Sequence, residues 1–347
     1  TDILRIRPLD DILARWLLFS VFSLHLLFIL ILIGTAMIGV HHYLHSYWTK
    51  ETFEHRWDKK VLKKFIIPKS LGVVIGVGVL LVIQTYYAVP FFTATSIFAP
   101  YWLLVIVLMV IGFLMIDGIS HKMDVHPIAS LVFGIVGLLL VLVVPAIFVL
   151  VLVTVENSDQ WAEIVRRGNQ LPPSLALHWL FRYTHIIGAS MIFGAAFQYL
   201  VTAKDYDYRK RILIRWIIVG IIIQVLSGAL LASSLQSWID PIVFIPLAVG
   251  ISSAGLLVWL LYIRAATGKI PDLGLLSVLL LLVTLGGMLL TRQFIQQQKV
   301  LPLIAKLDAN AIQYRSQVSL GGWQVLHQQT CRDIGDTINV SYIWVEA

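Results

Sequence analysis

Long apolar runs separated by short polar segments dominate this chain. With the window of about 20 residues that a helix needs to cross a bilayer, eight runs qualify. They cover residues 15–40, 67–90, 100–117, 127–153, 174–202, 212–236, 241–264 and 274–294. Lipid offers backbone polar groups no partner, so only helices and closed barrels span membranes. The pattern predicts an all-α, polytopic membrane protein with eight transmembrane helices.

A polar stretch in the middle of the chain divides the eight runs into two groups of four. It extends from Glu156 to Ser174, and the pair Pro172-Pro173 followed by Ser174 is a typical helix start. After residue 294 the apolar character is lost and glutamines become frequent. These boundaries predict two four-helix transmembrane bundles, residues 1–153 and 174–294, and an extramembrane tail, residues 295–347. The tail is ordered either by a partner or by covering its own bundle.

Composition and charge fit a membrane protein and predict its orientation. The chain is 59% apolar and 13% charged, whereas soluble domains carry about 25% charged residues. Lysines and arginines concentrate in the connecting segments 41–66 and 203–211. The positive-inside rule places those segments in the cytoplasm, so we expect both termini on the periplasmic side of a bacterial inner membrane. The net charge of +7 thus indicates orientation rather than nucleic-acid binding.

Two histidines occupy matching places inside the apolar runs. His25 lies in the first run and His185 in the fifth, each roughly 13 Å below the outer surface at the helical rise per residue. A glycine follows each histidine nine residues later, Gly34 and Gly194, on the opposite face of the helix. We expect the glycines to allow close helix packing. We expect the histidines to ligate haem iron, because a histidine at bilayer depth is costly and usually functional. A structural hydrogen bond to a neighbouring carbonyl is the alternative.

Any haem bound by this chain would be b-type. Cys331 is the one cysteine, so there is no Cys-x-x-Cys-His attachment site and no internal disulfide. Two further residues on the fifth run are candidates for the same cofactor. His178 either ligates a second haem nearer the outer surface or meets lipid headgroups or a haem propionate. Arg182 either pairs with a propionate or extends its guanidinium to the interface.

A second histidine group lies at the opposite end of the runs. His41 and His45 are spaced i, i+4 on one helix face, and His126 immediately precedes the fourth run. This arrangement suits a cytoplasmic-side haem or metal, and interfacial histidines without a ligand are the alternative. Gln84 and Gln224, inside the second and sixth runs, either bind a quinone carbonyl or link helices.

The histidine segments resemble a known family. The spacing of Arg15, His25 and Gly34 resembles the first helix of subunit I of the cytochrome bd quinol oxidases, where an arginine, a haem-ligating histidine and a glycine are spaced in the same way. The segment from Thr184-His185 to Gly194-Ala195-Ala196-Phe197 resembles that family's fifth helix, whose histidine ligates a low-spin haem b. The resemblance covers the first five runs, extends weakly to the sixth and seventh, and does not reach the tail.

The chain departs from that family at four places. The methionine ligand of the seventh helix has no counterpart in Pro246–Gly250, so the sixth ligand of a haem on His185 stays open, with Met288 or another histidine as candidates. The long quinol-binding loop between the sixth and seventh helices is missing. The third run holds no carboxylate, and the ninth helix with its Gly-Arg-Gln-Pro-Trp segment is absent. The resemblance therefore implies a haem-holding scaffold without the oxygen chemistry.

The histidine pattern and the resemblance together predict a haem b-binding membrane subunit of a respiratory electron-transfer complex. We expect it to pass electrons between the quinone pool and a periplasmic-side partner, either a c-type cytochrome or another redox subunit, next to other membrane subunits and lipid. Whether the whole complex has quinol:cytochrome c oxidoreductase activity stays open. The alternatives are a bd-type terminal oxidase that reduces oxygen with quinol, and a haem-free membrane anchor.

Overall fold

A computed structural model of the protein describes residues 12–50, 60–122, 126–202, 207–233, 241–266 and 274–317, with the short segments 319–320, 323–325 and 344–346. The helices are α1 (Ile12–Thr49), α2 (Ile66–Tyr86), α3 (Ala88–Ile97), α4 (Ala99–Lys122), α5 (Pro127–Glu156), α6 (Trp161–Arg166), α7 (Pro173–Thr202), α8 (Asp207–Ser233), α9 (Pro241–Ala266) and α10 (Leu275–Gln317), and a 3-10 turn covers Ser158–Gln160. Three strands pair antiparallel in the order β1 (Ser319–Leu320), β2 (Trp323–Val325) and β3 (Trp344–Glu346).

Eight of the described helices are long and apolar enough to cross a membrane, namely α1, α2, α4, α5, α7, α8, α9 and α10. Large hydrophobic side chains on their outer surfaces are widely exposed, for example Val74, Leu103 and Leu114 at 71%, 68% and 66%. An apolar surface of this extent is typical of contact with lipid. The chain is therefore an all-helical, multi-pass membrane protein over its spanning part, as the apolar runs predicted.

Backbone breaks and prolines set the ends of the helices. Tyr87 leaves the helical region at φ −122° and ψ 36°, which separates α2 from α3, and Phe98 separates α3 from α4 in the same way. Prolines begin α5, α7 and α9, where a missing N–H group removes no helical hydrogen bond. The short helix α3 was not predicted, because its sequence continues the apolar character of α2 without a polar interruption.

Two helices extend beyond the predicted runs. α1 continues to Thr49, and α10 continues to Gln317 although its apolar span ends at Ile295. Glutamine, lysine, leucine and alanine, which are frequent after Ile295, are all strong helix formers. A helix can therefore continue without hydrophobicity, and residues 295–317 of the predicted tail are a continuation of α10.

The two predicted halves meet where α1 packs against α7. A Cβ atom built on Gly34 would lie 1.9 Å from the carbonyl oxygen of Ser190, and one built on Gly194 would lie 2.4 Å from the carbonyl carbon of Gly34. Beside this contact the amide of Gln198 donates a hydrogen bond of 3.2 Å to the hydroxyl of Thr35, and both residues are fully buried. The predicted close-packing role of the two glycines is confirmed. The contact also joins the two predicted four-helix groups.

Each half repeats the same order of helix pairs. α1 packs on α2 and α4 on α5, while α7 packs on α8 and α9 on α10. The second pair of each half also meets at glycines, Gly112 with Gly137 and Gly250 with Gly287. Since three spans lie between corresponding helices, α1 and α7 cross the membrane in the same direction. The matching settings of His25 and His185 therefore correspond to matching helix pairs.

Candidate functional site

His25 faces α2, on the side of α1 opposite its glycine contact. Its Nδ1 lies 2.9 Å from the carbonyl oxygen of Gly72. A carbonyl only accepts hydrogen bonds, so in the neutral imidazole the proton is on Nδ1 and Nε2 carries the lone pair. That Nε2 has no hydrogen-bond partner among the described residues. A Cβ built on Gly76 would lie 2.6 Å from Cε1 of the imidazole, so the glycine creates the space that the ring occupies.

His185 is held in a similar way by α8. Its Nδ1 lies 3.3 Å from the hydroxyl of Ser227, which itself donates to the carbonyl of Ile223 and therefore accepts from the imidazole. A Cβ built on Gly228 would lie 3.2 Å from Cε1 of His185. The amide of Gln224 donates a 2.7 Å hydrogen bond to the carbonyl of His185, which supports the helix-linking alternative for that glutamine.

The two imidazoles lie on opposite outer faces of the α1–α7 pair. Each is nine residues before the glycine contact, about 13 Å along the helix, and each turns away from that contact toward the next helix of its own half. The α1–α7 pair thus separates the two imidazoles, and its glycine contact lies further along both helices. This geometry favours two separate ligand sites at the same membrane depth rather than one site shared by both histidines.

A buried ionic group lies near both histidine positions, toward the N-terminal ends of α1 and α7. Glu156, at the end of α5, accepts hydrogen bonds of 2.6 Å and 3.0 Å from Nη1 and Nη2 of Arg182. The carboxylate is 5% exposed and the guanidinium 13%. Arg292 of α10 approaches the same carboxylate to 3.8 Å and lies 4.5 Å above the ring of Phe22.

The position of this ionic group relates it to both histidines. Arg182 is one helical turn before His185, and Phe22 is one turn before His25. Two guanidinium groups share one carboxylate, so these three side chains carry a net positive charge on the N-terminal side of both histidines. Excess positive charge at reduced exposure favours an anionic or electron-rich ligand.

For the remaining predicted residues, Arg182, His178 and His126, a role in binding a cofactor stays a prediction. Arg182 points inward to Glu156 instead of extending to the interface, and its pairing with a propionate stays a prediction. His178 is half-buried on α7, seven residues before His185. His126 is exposed immediately before α5, and its carbonyl accepts from the backbone of Ser130.

The opposite end of the spans shows ring contacts at His41. His41 is exposed, and its ring lies 5.3 Å from both the His42 and the Trp216 rings in edge-on geometry. Within the described ranges, no group of three or more histidine, cysteine or acidic side chains could hold a metal ion. In the described part of the chain, His41 therefore belongs to no group of three or more side chains that could bind a metal ion.

The structure adds residues that the sequence pattern does not identify. Glu156 looked like the start of a polar loop, yet it is buried as the partner of Arg182 and Arg292. The small residues that make room for the two imidazoles, Gly76 and Gly228, are visible in the sequence. Their role depends on which helices pair, and apolar runs do not encode that pairing.

These features define a class: a multi-pass membrane protein with an all-helical spanning part and two half-buried histidines in matching helix pairs, linked at one end by a buried ionic group. Comparison of the chain with protein-family models, with curated proteins and with solved structures found no match. The resemblance to subunit I of the cytochrome bd oxidases therefore rests on the two histidine segments themselves.

Proposed function

We propose that this chain is the haem b-binding membrane subunit of a respiratory electron-transfer complex in a bacterial inner membrane. It binds two b-type haems, one through His25 and one through His185. The complex passes electrons between the quinone pool and a periplasmic-side partner, a c-type cytochrome or another redox subunit. The observation that carries this proposal is that both imidazoles are fixed through Nδ1 by the neighbouring helix, in equivalent positions of the two halves.

The residues around the histidines fit an axial haem ligand. A metal-binding histidine usually donates its other ring N–H to a carbonyl or another acceptor, which fixes the tautomer and the direction of the ligating lone pair. Gly72 provides that acceptor for His25, and the Ser227 hydroxyl provides it for His185. Glycines on the facing helices keep side chains away from both rings. A histidine with a purely structural role would need only one of these two features, an acceptor for Nδ1 or a glycine facing the ring. Each of the two histidine sites has the acceptor and the glycine.

The chain's own residues contribute binding, orientation and electrostatics. When bound, haem supplies a reversible one-electron couple. Both imidazoles are half-buried within apolar spans, and Nε2 of each would hold the iron. Arg182 and Arg292, one turn outward, supply positive charge that would stabilise propionate groups at the outer side.

The test of this proposal is the haem content of the purified, full-length protein. We expect a reduced b-type spectrum and about two haems per chain in a pyridine haemochrome assay, because the two imidazoles occupy separate sites. One haem per chain would contradict the two-site geometry. A protein expressed with adequate haem supply that contains none would leave the haem-free membrane anchor as the function.

Gly76→Ala should disturb one haem site without unfolding the protein. The new methyl group would lie 2.6 Å from Cε1 of His25, and the end of a side chain can move more easily than backbone. We expect the imidazole to rotate away from Gly72 and the haem at His25 to bind about 10- to 100-fold more weakly, as for other losses of ligand-orienting partners. Haem titration of the protein measures this effect.

Gly78→Ala is the matched control for that prediction. It lies on the same helix, and an added Cβ would meet only a side-chain atom of Val21 at 4.0 Å. Its haem affinity should equal that of the parent protein. Equal affinities in the Gly76 and Gly78 variants would mean that the position of the His25 ring does not matter for haem binding.

A further inference from the structure

A small cavity lies between α1, α5, α10 and the junction of α2 and α3, one helical turn outward from His25. Its walls are mostly aromatic and aliphatic and include Phe22, Phe91 and Val155. Arg292 and Gln293, adjacent on α10, line the same space with polar groups. Hydrophobic walls with a few convergent polar groups are typical of small-molecule binding sites.

The amide of Gln293 is the unusual member of this cavity. The residue is 8% exposed, and its Nε2 is buried with no hydrogen-bond partner among the described residues. Leaving a buried donor unpaired is unfavourable, so such groups usually mark a site that another molecule completes. An acceptor atom placed in the cavity would satisfy this donor.

Arg292 adds a second donor and a constraint on the ligand. Its guanidinium stacks on Phe22 at 4.5 Å and stays 3.8 Å from the Glu156 carboxylate, too far for a direct hydrogen bond to that group. Amide N–H and guanidinium groups donate and do not accept. The ligand therefore presents an acceptor oxygen next to an apolar part that packs against the aromatic and aliphatic walls.

We propose that this cavity binds the head group of a membrane quinone, with a ring carbonyl accepting from Gln293. This inference rests on the proposed function in one respect, since it names the site at which the complex would exchange electrons with the quinone pool. A quinone combines a carbonyl acceptor with a flat apolar ring, and it partitions into the membrane that the spanning helices would cross. The cavity has room for about one or two water molecules, which is enough for the carbonyl oxygen, so binding of the ring would require lining side chains such as Phe22 and Phe91 to move apart.

The experiment measures equilibrium binding of decylubiquinone and menadione to the purified, full-length protein and to three variants. Gln293→Leu removes the donor, and Gln293→Glu replaces it with an acceptor of nearly the same shape. Thr284→Val is the control, because this polar residue lies on the same spanning helix, donates to the backbone of Leu280 and does not line the cavity. We expect saturable binding of at least one of the two quinones, weakened about tenfold or more in both Gln293 variants and unchanged in the control.

Thermal unfolding and haem content of the same samples make each outcome decisive. Gln293→Leu should unfold at the parent temperature or above, because it removes an unpaired donor. Absence of quinone binding, or equal binding in the parent and Gln293 variants, would overturn the quinone site and assign the cavity to water. Haem-containing protein that binds no quinone refutes this inference alone. Haem-free protein that binds quinone through Gln293 refutes the haem proposal alone.

Discussion

A variant with His185→Ala is expected to lose one haem and keep the other, and His25→Ala is expected to do the reverse. The two imidazoles face different helices, α8 and α2, on opposite sides of the α1–α7 pair. Removing one axial ligand should therefore leave the second site intact. Haem per chain should fall by about half in each single variant and to nearly none in the double variant. The two single variants should lose different components of the reduced-minus-oxidised spectrum.

Two further measurements keep this prediction testable if a variant folds poorly. His185→Gly in the presence of imidazole should regain the lost component, because a free ligand can occupy the vacated space. Tyr101→Ala serves as a control, since Tyr101 is exposed on α4 and belongs to neither histidine site. It should retain full haem content. Loss of both haems from either single variant, with normal thermal unfolding, would instead indicate one haem shared by the two histidines.

Gly34→Ala and Gly194→Ala should each prevent normal assembly of the two halves. The added methyl group would lie 1.9 Å from the Ser190 carbonyl oxygen in one case and 2.4 Å from the Gly34 carbonyl carbon in the other. Both clashes involve backbone, which cannot rotate away as a side chain does. We expect a loss of about 3 kcal/mol or more in stability, at the upper end of the effect of overpacking. Thermal unfolding of the purified protein, and its yield after membrane extraction, measure this loss.

The matched control is Gly255→Ala in α9. No atom lies within 4 Å of a Cβ built on Gly255, and alanine is a better helix former than glycine. This variant should be as stable as the parent protein or slightly more stable. If Gly34→Ala and Gly255→Ala unfold at the same temperature, the α1–α7 contact does not hold the halves together. We also expect Gly34→Ala to lower the haem content at both histidines, because the contact holds together the two helices that carry them.

The apolar runs were sufficient to predict which segments cross the membrane. Backbone groups in lipid have to be satisfied within the segment, so length and hydrophobicity alone identify a spanning helix. The same reasoning predicted the close approach at Gly34 and Gly194, because their spacing from the histidines places them on the opposite helix face. It did not predict the helix break at Tyr87, because the apolar run continues through it. It did not predict the extension of α10 to Gln317, because that part of the helix is not apolar.

The partners of the polar residues could not be predicted from the pattern. Glu156 and Arg182 are 26 positions apart in the chain and form a buried ion pair. Arg292 comes from the last spanning helix and approaches the same carboxylate. In the sequence each looks like an ordinary residue near a membrane interface. Burial requires these side chains to form ion pairs, because a charge that is removed from water needs a partner. Only the assembled helices determine which partner is within reach.

For this protein, then, the order of residues alone determined eight apolar helices, the depth of His25 and His185, and the glycine face opposite each histidine. These properties are local, because they depend on the helical repeat and on the exclusion of polar backbone from lipid. Tertiary structure alone decided that the two histidines turn toward different helices, that glycines make room for both rings, and that one carboxylate serves two arginines. Those properties depend on helix pairing, which is governed by close packing between segments far apart in the chain.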